Sequence, residues 1–391
     1  MIKMSFSLKP VVGKEFVGRK EILQRLFSEL ENEKSINGFA LYGKRRVGKT
    51  SILLETKRRL EEKQKIVPIY ISVWDLVEWR LDELCAKIIS ETVNAYKPRL
   101  GLPFKFEEIM RMSYAGVSEF LKKLEVKAEV ADLITLGVSL SKERPHDLNK
   151  NVEDAFLFPE KMAQRTDTKV VLMIDEFPSI VELTNGKKLG IGIMGKLRTI
   201  HEKYKKTTLC VSGSIMKTME NAVLSPSAAF YGQLTPINVP PLSLEETTEL
   251  LKANLGAKIT LKSITKLFEL TNGFSLYVNA IGIKLSNKKK IGEEEITTAF
   301  DEFLSEEGSL IFKRDFYICS SKERSILIQM CQGKTSITQI ANGMDSSPAT
   351  VGKLMSYLEE KGVVEKSEEK YTLVDPVFEK WIRKTFNDIF Q

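Results

Sequence analysis

Short β-rich apolar runs alternate with helix-length segments as far as residue 240 or so, and strand signals fade after Pro240-Pro241. Together these predict an α/β protein: a parallel sheet first, then a helical block, then a small tail of helices and a hairpin. Strands separated by helix-length segments need crossover connections, and crossovers make neighbouring strands parallel. At 391 residues the chain is also too long for one ordinary core, so two or three domains are expected.

The strands are expected at 38–42, 66–73, 170–174, 208–211 and 236–239, each a brief run rich in Val, Ile, Leu, Phe or Tyr. About a hundred residues separate the second from the third, too many for a single crossover. Helical patterns at 81–96, 106–124 and 152–163 make this an insertion, around 80–165, placed beside the ligand cleft and offering a surface for a protein partner. Beyond the double proline, helical periodicity runs through 244–254, 261–270, 276–285 and 293–304, with turns at Asn272-Gly273 and Lys288-Lys289-Lys290. The tail has helices at 323–331, 336–344 and 348–360, followed by extended runs at 363–365 and 371–374 around a polar turn. That order predicts a winged helix-turn-helix. The division is therefore 1–240, 241–310 and 311–391.

Apolar content of 42% and charged content of 28% are those of a globular protein, and a net charge of +7 is a mild bias toward anionic partners. Cys85, Cys210, Cys319 and Cys331 stand far apart, and His146 and His201 complete the set of soft ligands. That spacing speaks against a zinc site or a disulfide framework. No apolar run opens the chain, and the most apolar later stretch, 126–140, is interrupted by Lys127, Glu129 and Asp132. A signal peptide and a membrane span are therefore not expected, and a cytoplasmic location is.

Three motifs carry chemistry. The stretch GKRRVGKT, residues 43–50, satisfies G-x-x-x-x-G-K-[ST] and lies between an apolar strand and a helix, the context that a phosphate-binding loop needs. Gly43 and Gly48 let the backbone curl so that the amides of Lys44, Arg45, Arg46 and Val47 point inward, and the helix from Lys49 and Ser51 turns its positive end to a phosphate. Lys49 would reach the β- and γ-phosphates, and the Thr50 hydroxyl would hold Mg²⁺. The competing reading is a basic surface turn. Next, 170–174 is a continuous apolar run that delivers Asp175-Glu176 at the end where ligands of such sheets bind. Asp175 is assigned to the metal and Glu176 to the attacking water, against the alternative of two helix-capping acids. Finally, Ser212-Gly213-Ser214 ends the fourth strand. Either serine can touch the terminal phosphate or the water, or Ser214 simply caps a helix.

With these residues in place the chain resembles the additional-strand class of P-loop ATPases, whose strand order is 5-1-4-3-2. More narrowly, Phe16-Val17-Gly18-Arg19 with Glu21, the phosphate loop, VVLMIDEF, the SGS stretch, FYGQLTPINVPPLS, TNGFSLY and YTLVDPVFEKW are similar to the archaeal-type AAA ATPases grouped with the STAND signalling NTPases. The resemblance implies ATP or ADP with Mg²⁺, a helical lid over the nucleotide, a winged helix behind it, and an adenine pocket bordered by Phe16, Val17, Gly18 and Arg19. Two departures matter: Tyr231-Gly232-Gln233 stands where relatives carry Y-G-R, and Asn272-Gly273-Phe274-Ser275 where they carry a glycine pair and a proline. A missing arginine implies slow turnover, or supply by Arg45, Arg46 or Arg198.

In the tail, Ser346, Ser347, Thr350 and Lys353 begin the second helix of the motif, with Lys366 and Lys370 on the wing, all suited to double-stranded DNA. Residues 321–391 nonetheless hold ten Lys and Arg against ten Asp and Glu, and phosphate neutralisation dominates DNA affinity, so a protein partner fits as well. Phe378 and Trp381 read as core. The sequence thus supports a nucleotide-driven switch or a nucleotide-dependent DNA-binding protein similar to origin-recognition ATPases, with a remodelling ring as a third form. It leaves the oligomeric state open.

Overall fold

The five apolar runs become β1 (Gly38–Tyr42), β2 (Ile66–Ser72), β3 (Lys169–Asp175), β4 (Thr207–Gly213) and β5 (Leu234–Asn238). All are parallel, in the order β2-β3-β4-β1-β5. This is the expected sheet order, and it interposes β4 between β1 and β3. Registers such as Ser72↔Asp175, Ile174↔Val211 and Tyr42↔Gly213 bring the strand ends to one edge. The computed structural model describes residues 6–101, 108, 117, 121–124, 126–142, 148–368 and 370–386. Most of the helix expected over 106–124 lies outside them.

Both faces of the sheet are covered, and the two-residue side-chain period divides the core accordingly. Phe39, Leu41, Val171, Met173 and Cys210 face α1 (Lys20–Leu30) and α2 (Lys49–Glu61), in a core that continues into the C-terminal half. Ala40, Val170, Leu172, Ile174 and Val211 face the other way. There they meet α3 (Leu81–Leu100), α4 (Ala128–Lys142), α5 (Leu148–Thr166) and α6 (Gly192–His201). The insertion therefore lies against a sheet face, because α3 leaves β2 with a buried stripe of Leu84, Ile88 and Val93 that the sheet must cover. An unforeseen tie fixes α1: the buried Lys169 Nζ donates to the carbonyls of Glu29 (3.1 Å), Leu30 (3.1 Å) and Asn32 (2.8 Å) at its C-terminal end.

After β5 come α7 (Leu244–Leu255), α8 (Leu261–Thr271), α9 (Ser275–Leu285), α10 (Glu293–Ser305) and α11 (Glu307–Tyr317). Capping boxes legible as S-x-x-E or S-x-x-Q start three of the later helices: Ser243 with Glu246, Ser320 with Glu323, and Ser336 with Gln339. The tail comprises α12 (Ser321–Cys331), α13 (Ile337–Gly343), α14 (Pro348–Glu360), the antiparallel strands β6 (Val364–Ser367) and β7 (Lys370–Leu373), and α15 (Pro376–Thr385). The division drawn at 310/311 falls inside α11, whose Phe312 touches both Tyr277 of α9 (5.8 Å between ring centroids) and Trp381 of α15 (5.9 Å). Phe378 and Trp381 are buried in that aromatic cluster. No helix among the described residues is long and apolar enough to cross a membrane.

Candidate functional site

The loop 43–50 curls where β1 hands over to α2. At Gly43 (φ +154°) a Cβ would sit 2.3 Å from the Val239 carbonyl oxygen, so no other residue fits that approach. Gly48 (φ +97°) is left-handed as it opens α2. Lys49 is 6% exposed, and its Nζ donates to the carbonyls of Gly43 (2.9 Å) and Lys44 (2.8 Å), folding the side chain back over the loop. Burial pulls its pKa down to about 8, against the opposing pull of Glu176 and Asp175.

The sheet edge brings the acidic pair to this loop. Thr50 Oγ1 donates to Asp175 Oδ2 at 2.7 Å, and Tyr70 donates to the same oxygen at 3.0 Å. Ser212, fully buried, donates to Asp175 Oδ1. Glu176 adopts a left-handed conformation (φ 54°) that turns its carboxylate toward Ser214, whose hydroxyl donates to Oε2 at 3.0 Å and whose amide does so at 3.3 Å. Burial raises the Glu176 pKa, with Lys49 opposing. Glu176 stands at the cap position of the short helix Phe177–Glu182 but its side chain makes no cap bond there, and Ser214 is spent on Glu176: the short helix after it has Ile215 at its cap, with no side-chain cap bond.

A cavity of about 390 Å³ opens above these groups. Val47 to Ser51, Glu176 and Ser214 line one part; Phe16, Val17, Leu242, Leu250 and Leu276 give it an apolar part. The segment 7–11 also lines it, anchored by Ser7 N to Asn279 Oδ1 (3.3 Å), Val11 N to Ser51 Oγ (3.2 Å), and the neighbouring Gly13 N to Glu55 (2.7 Å). Arg19 is 5% exposed rather than solvated, and donates to the Val47 carbonyl at 2.9 Å. Gly18 lies close to Glu246, where a Cβ would sit 2.8 Å from Oε1.

Residues 16–279 match the family described as an ATPase domain predominantly from Archaea. The chain belongs to this family. No curated protein matches it. Among solved structures, this ATPase is similar to the Walker-type ATPase PABY2304 of Pyrococcus abyssi, with a TM-score of 0.70 and 16% identity over 97% of this chain and 99% of that one. It is also similar to the Aeropyrum pernix ORC2 protein in its ADPNP–ADP complexes, with a TM-score of 0.58 and 10% identity over 97% of each chain. The ADP form of that protein gives 0.54 and 10% identity, over 95% of this chain and 97% of that one. At such identities the likeness is one of fold.

The ATPase loop is bonded to the far end of its own chain, which the sequence did not announce. Arg46, left-handed at φ 67°, donates to Asp315 of α11 (2.5 Å), to Asp375 at the start of α15 (2.6 Å) and to Tyr277 of α9 (2.9 Å). The Tyr277 hydroxyl also donates to Asp375, whose other oxygen caps α15 by accepting from the amides of Val377 and Phe378. Burial alone would lower the Arg46 pKa, but Tyr277, Asp375 and Asp315 overcome it and raise it. Lys44 reaches Glu365 on β6 at 2.7 Å. The α9 end touches the loop too, with Ser275 Oγ donating to the Arg46 carbonyl at 3.0 Å.

These bonds settle where the candidate arginines go. Arg46 is committed to the acids of the C-terminal half, and Arg198 pairs with Glu202 on α6, away from the cavity. Arg45 lines the cavity, 5.8 Å from the Trp74 ring. Residues 231–233 do not line it. On α14, Ser347 and Thr350 bond to each other at the helix start, while Thr350 and Lys353 are exposed. Lys366 lies over Tyr371 on the exposed hairpin, with Lys370 beside it.

Proposed function

We propose that this chain is a Mg²⁺-dependent, slowly hydrolysing ATP switch of the STAND type, in which the state of the phosphate loop sets the placement of a C-terminal winged helix. The observation that carries this reading is the bonding of Lys44 and Arg46, two positions that the loop pattern leaves unspecified, to Glu365, Asp315 and Asp375. The amides that would receive a triphosphate belong to the same loop residues, so a nucleotide that favours one arrangement of the loop is linked to the tail. The domains are then an ATPase domain over 1–240, a lid over 241–310 and the winged helix over 311–391, with α11 as the bridge.

The site suits the chemistry. Thr50 and Asp175 offer hard oxygen donors 2.7 Å apart, the donor type that Mg²⁺ takes. Mg²⁺, when bound, neutralises charge on phosphate oxygens. Lys49 exchanges its two loop carbonyls for phosphate oxygens, and Glu176, held by Ser214, orients the attacking water. Ser212 holds Asp175 from behind. Phe16, Val17, Leu242, Leu250 and Leu276 pack the base, with Gly18 and Arg19 shaping that wall.

The test is nucleotide affinity and phosphate release for wild type, Lys49→Ala and Glu176→Gln. Lys49→Ala should lose binding, and Glu176→Gln should keep ATP while turnover stalls. ATP binding to Lys49→Ala at wild-type strength would end the site assignment. ATP should also change amide exchange over 364–376; identical exchange with and without ATP would end the switch.

The exposed start of α14 favours a second reading, a nucleotide-dependent binder of double-stranded DNA through Ser347, Thr350, Lys353, Lys366 and Lys370. It requires salt-dependent duplex binding that Lys353→Glu weakens.

A further inference from the structure

We propose that Arg314 of α11, together with Arg45 of the loop, binds the terminal phosphate in cis. This rests on the nucleotide reading above.

The argument is one of charge accounting in the cavity. Its lining carries six cationic side chains against the three acids Glu15, Glu176 and Asp315. Three of the cations have acceptors: Arg19 takes the Val47 carbonyl, Lys49 two loop carbonyls, and Arg46 Asp315 with Asp375. Lys9 is exposed on the segment 7–11. Arg45 and Arg314 remain, and among the described residues neither has an ion-pair partner. Arg45 Nε is buried with no hydrogen-bond partner. An unmatched buried donor is costly unless a ligand supplies the acceptor.

Position says which part of the ligand. The apolar lining takes the base and Gly48–Thr50 the inner phosphates, so Glu176 and Ser214 mark the terminal end. Arg45 and Arg314 line the same cavity as Glu176 and Ser214, and Arg45 lies near enough to Asp315 and Glu176 to feel their charge. Both also line a second cavity of about 200 Å³ between the loop and the tail. Asp315, next to Arg314, is pinned to Arg46, so α11 is held in register with the loop. A guanidinium there offers forked donors to phosphate oxygens.

The experiment is titration calorimetry on the full chain with ADP and with a non-hydrolysable ATP analogue. Wild type should prefer the triphosphate. Arg314→Ala should weaken the triphosphate about ten-fold while ADP stays within about two-fold. Arg314→Lys should recover part of the preference, and Arg45→Met should repeat the loss. An unchanged triphosphate-to-diphosphate ratio in Arg314→Ala, or equal weakening of both ligands, overturns the inference and leaves the nucleotide site standing. Wild type that binds neither ligand overturns the site as well.

Discussion

Asp375→Ala tests the link between the loop and the tail most directly. Asp375 does three things at once: one oxygen caps α15, the other accepts from Arg46 and from Tyr277. Losing the cap costs about 1 kcal/mol. Breaking a fully buried ion pair by removing one partner costs about 3–5 kcal/mol. Here Arg46 and Asp375 are 17% and 14% exposed, and Asp315 stays, so about 2 kcal/mol is the better figure. The buried Tyr277 hydroxyl adds about 1 kcal/mol. Asp375→Ala should therefore destabilise by about 4 kcal/mol, and Asp375→Asn, which keeps the cap and an acceptor, by about 2 kcal/mol. Urea unfolding followed by tryptophan fluorescence is a suitable readout, since Trp381 stacks on Phe378 in the same helix. A double-mutant cycle with Arg46→Met should give a coupling of about 2 kcal/mol between positions 329 residues apart. A coupling near zero would refute the reasoning.

Other outcomes follow from single side chains. Gly43→Ala should abolish nucleotide binding and lower the melting temperature, because its Cβ would collide with the Val239 carbonyl oxygen at 2.3 Å; an alanine variant that binds ATP normally would contradict the loop geometry. Lys169→Met should destabilise by about 2 kcal/mol by stripping three carbonyls at the end of α1, and amide exchange should rise first over 29–35. Glu55 is held near pKa 2: burial would raise it, but hydrogen bonds from Arg58, Gly13 and Arg59 more than offset that. Its folded pKa lies below the ordinary 4.5, so its contribution is full above that value and lost as pH falls toward 2. Glu55→Gln should cost about 2 kcal/mol at pH 7, about 1 kcal/mol at pH 3 and little near pH 2, seen as converging urea midpoints.

The strands, the phosphate loop and the acidic pair were legible because each is local: an apolar run of strand length, a glycine spacing, a carboxylate at a strand end. The insertion was recognised by chain length, but its face was not, since which side of the sheet Leu84 and Ile88 cover depends on the handedness of the crossover. α11 went unseen as an element because exposed apolar residues, Leu310 and Tyr317, flank the buried Phe312 and Phe316, so its apolar residues do not fall on one face. Arg46 looked available for catalysis because no feature near position 46 announces acids at 315 and 375.

By itself, then, the sequence determined an α/β chain with a phosphate loop, an Asp-Glu couple and a three-helix tail with a hairpin, because backbone conformation and burial period are written residue by residue. Tertiary structure alone decided that Lys44 and Arg46 belong to the tail, that Arg45 and Arg314 share the cavity, and that Ser214 holds Glu176. Those pairings join residues tens to hundreds of positions apart, and a long-range partner is chosen by where the folded backbone places a charge.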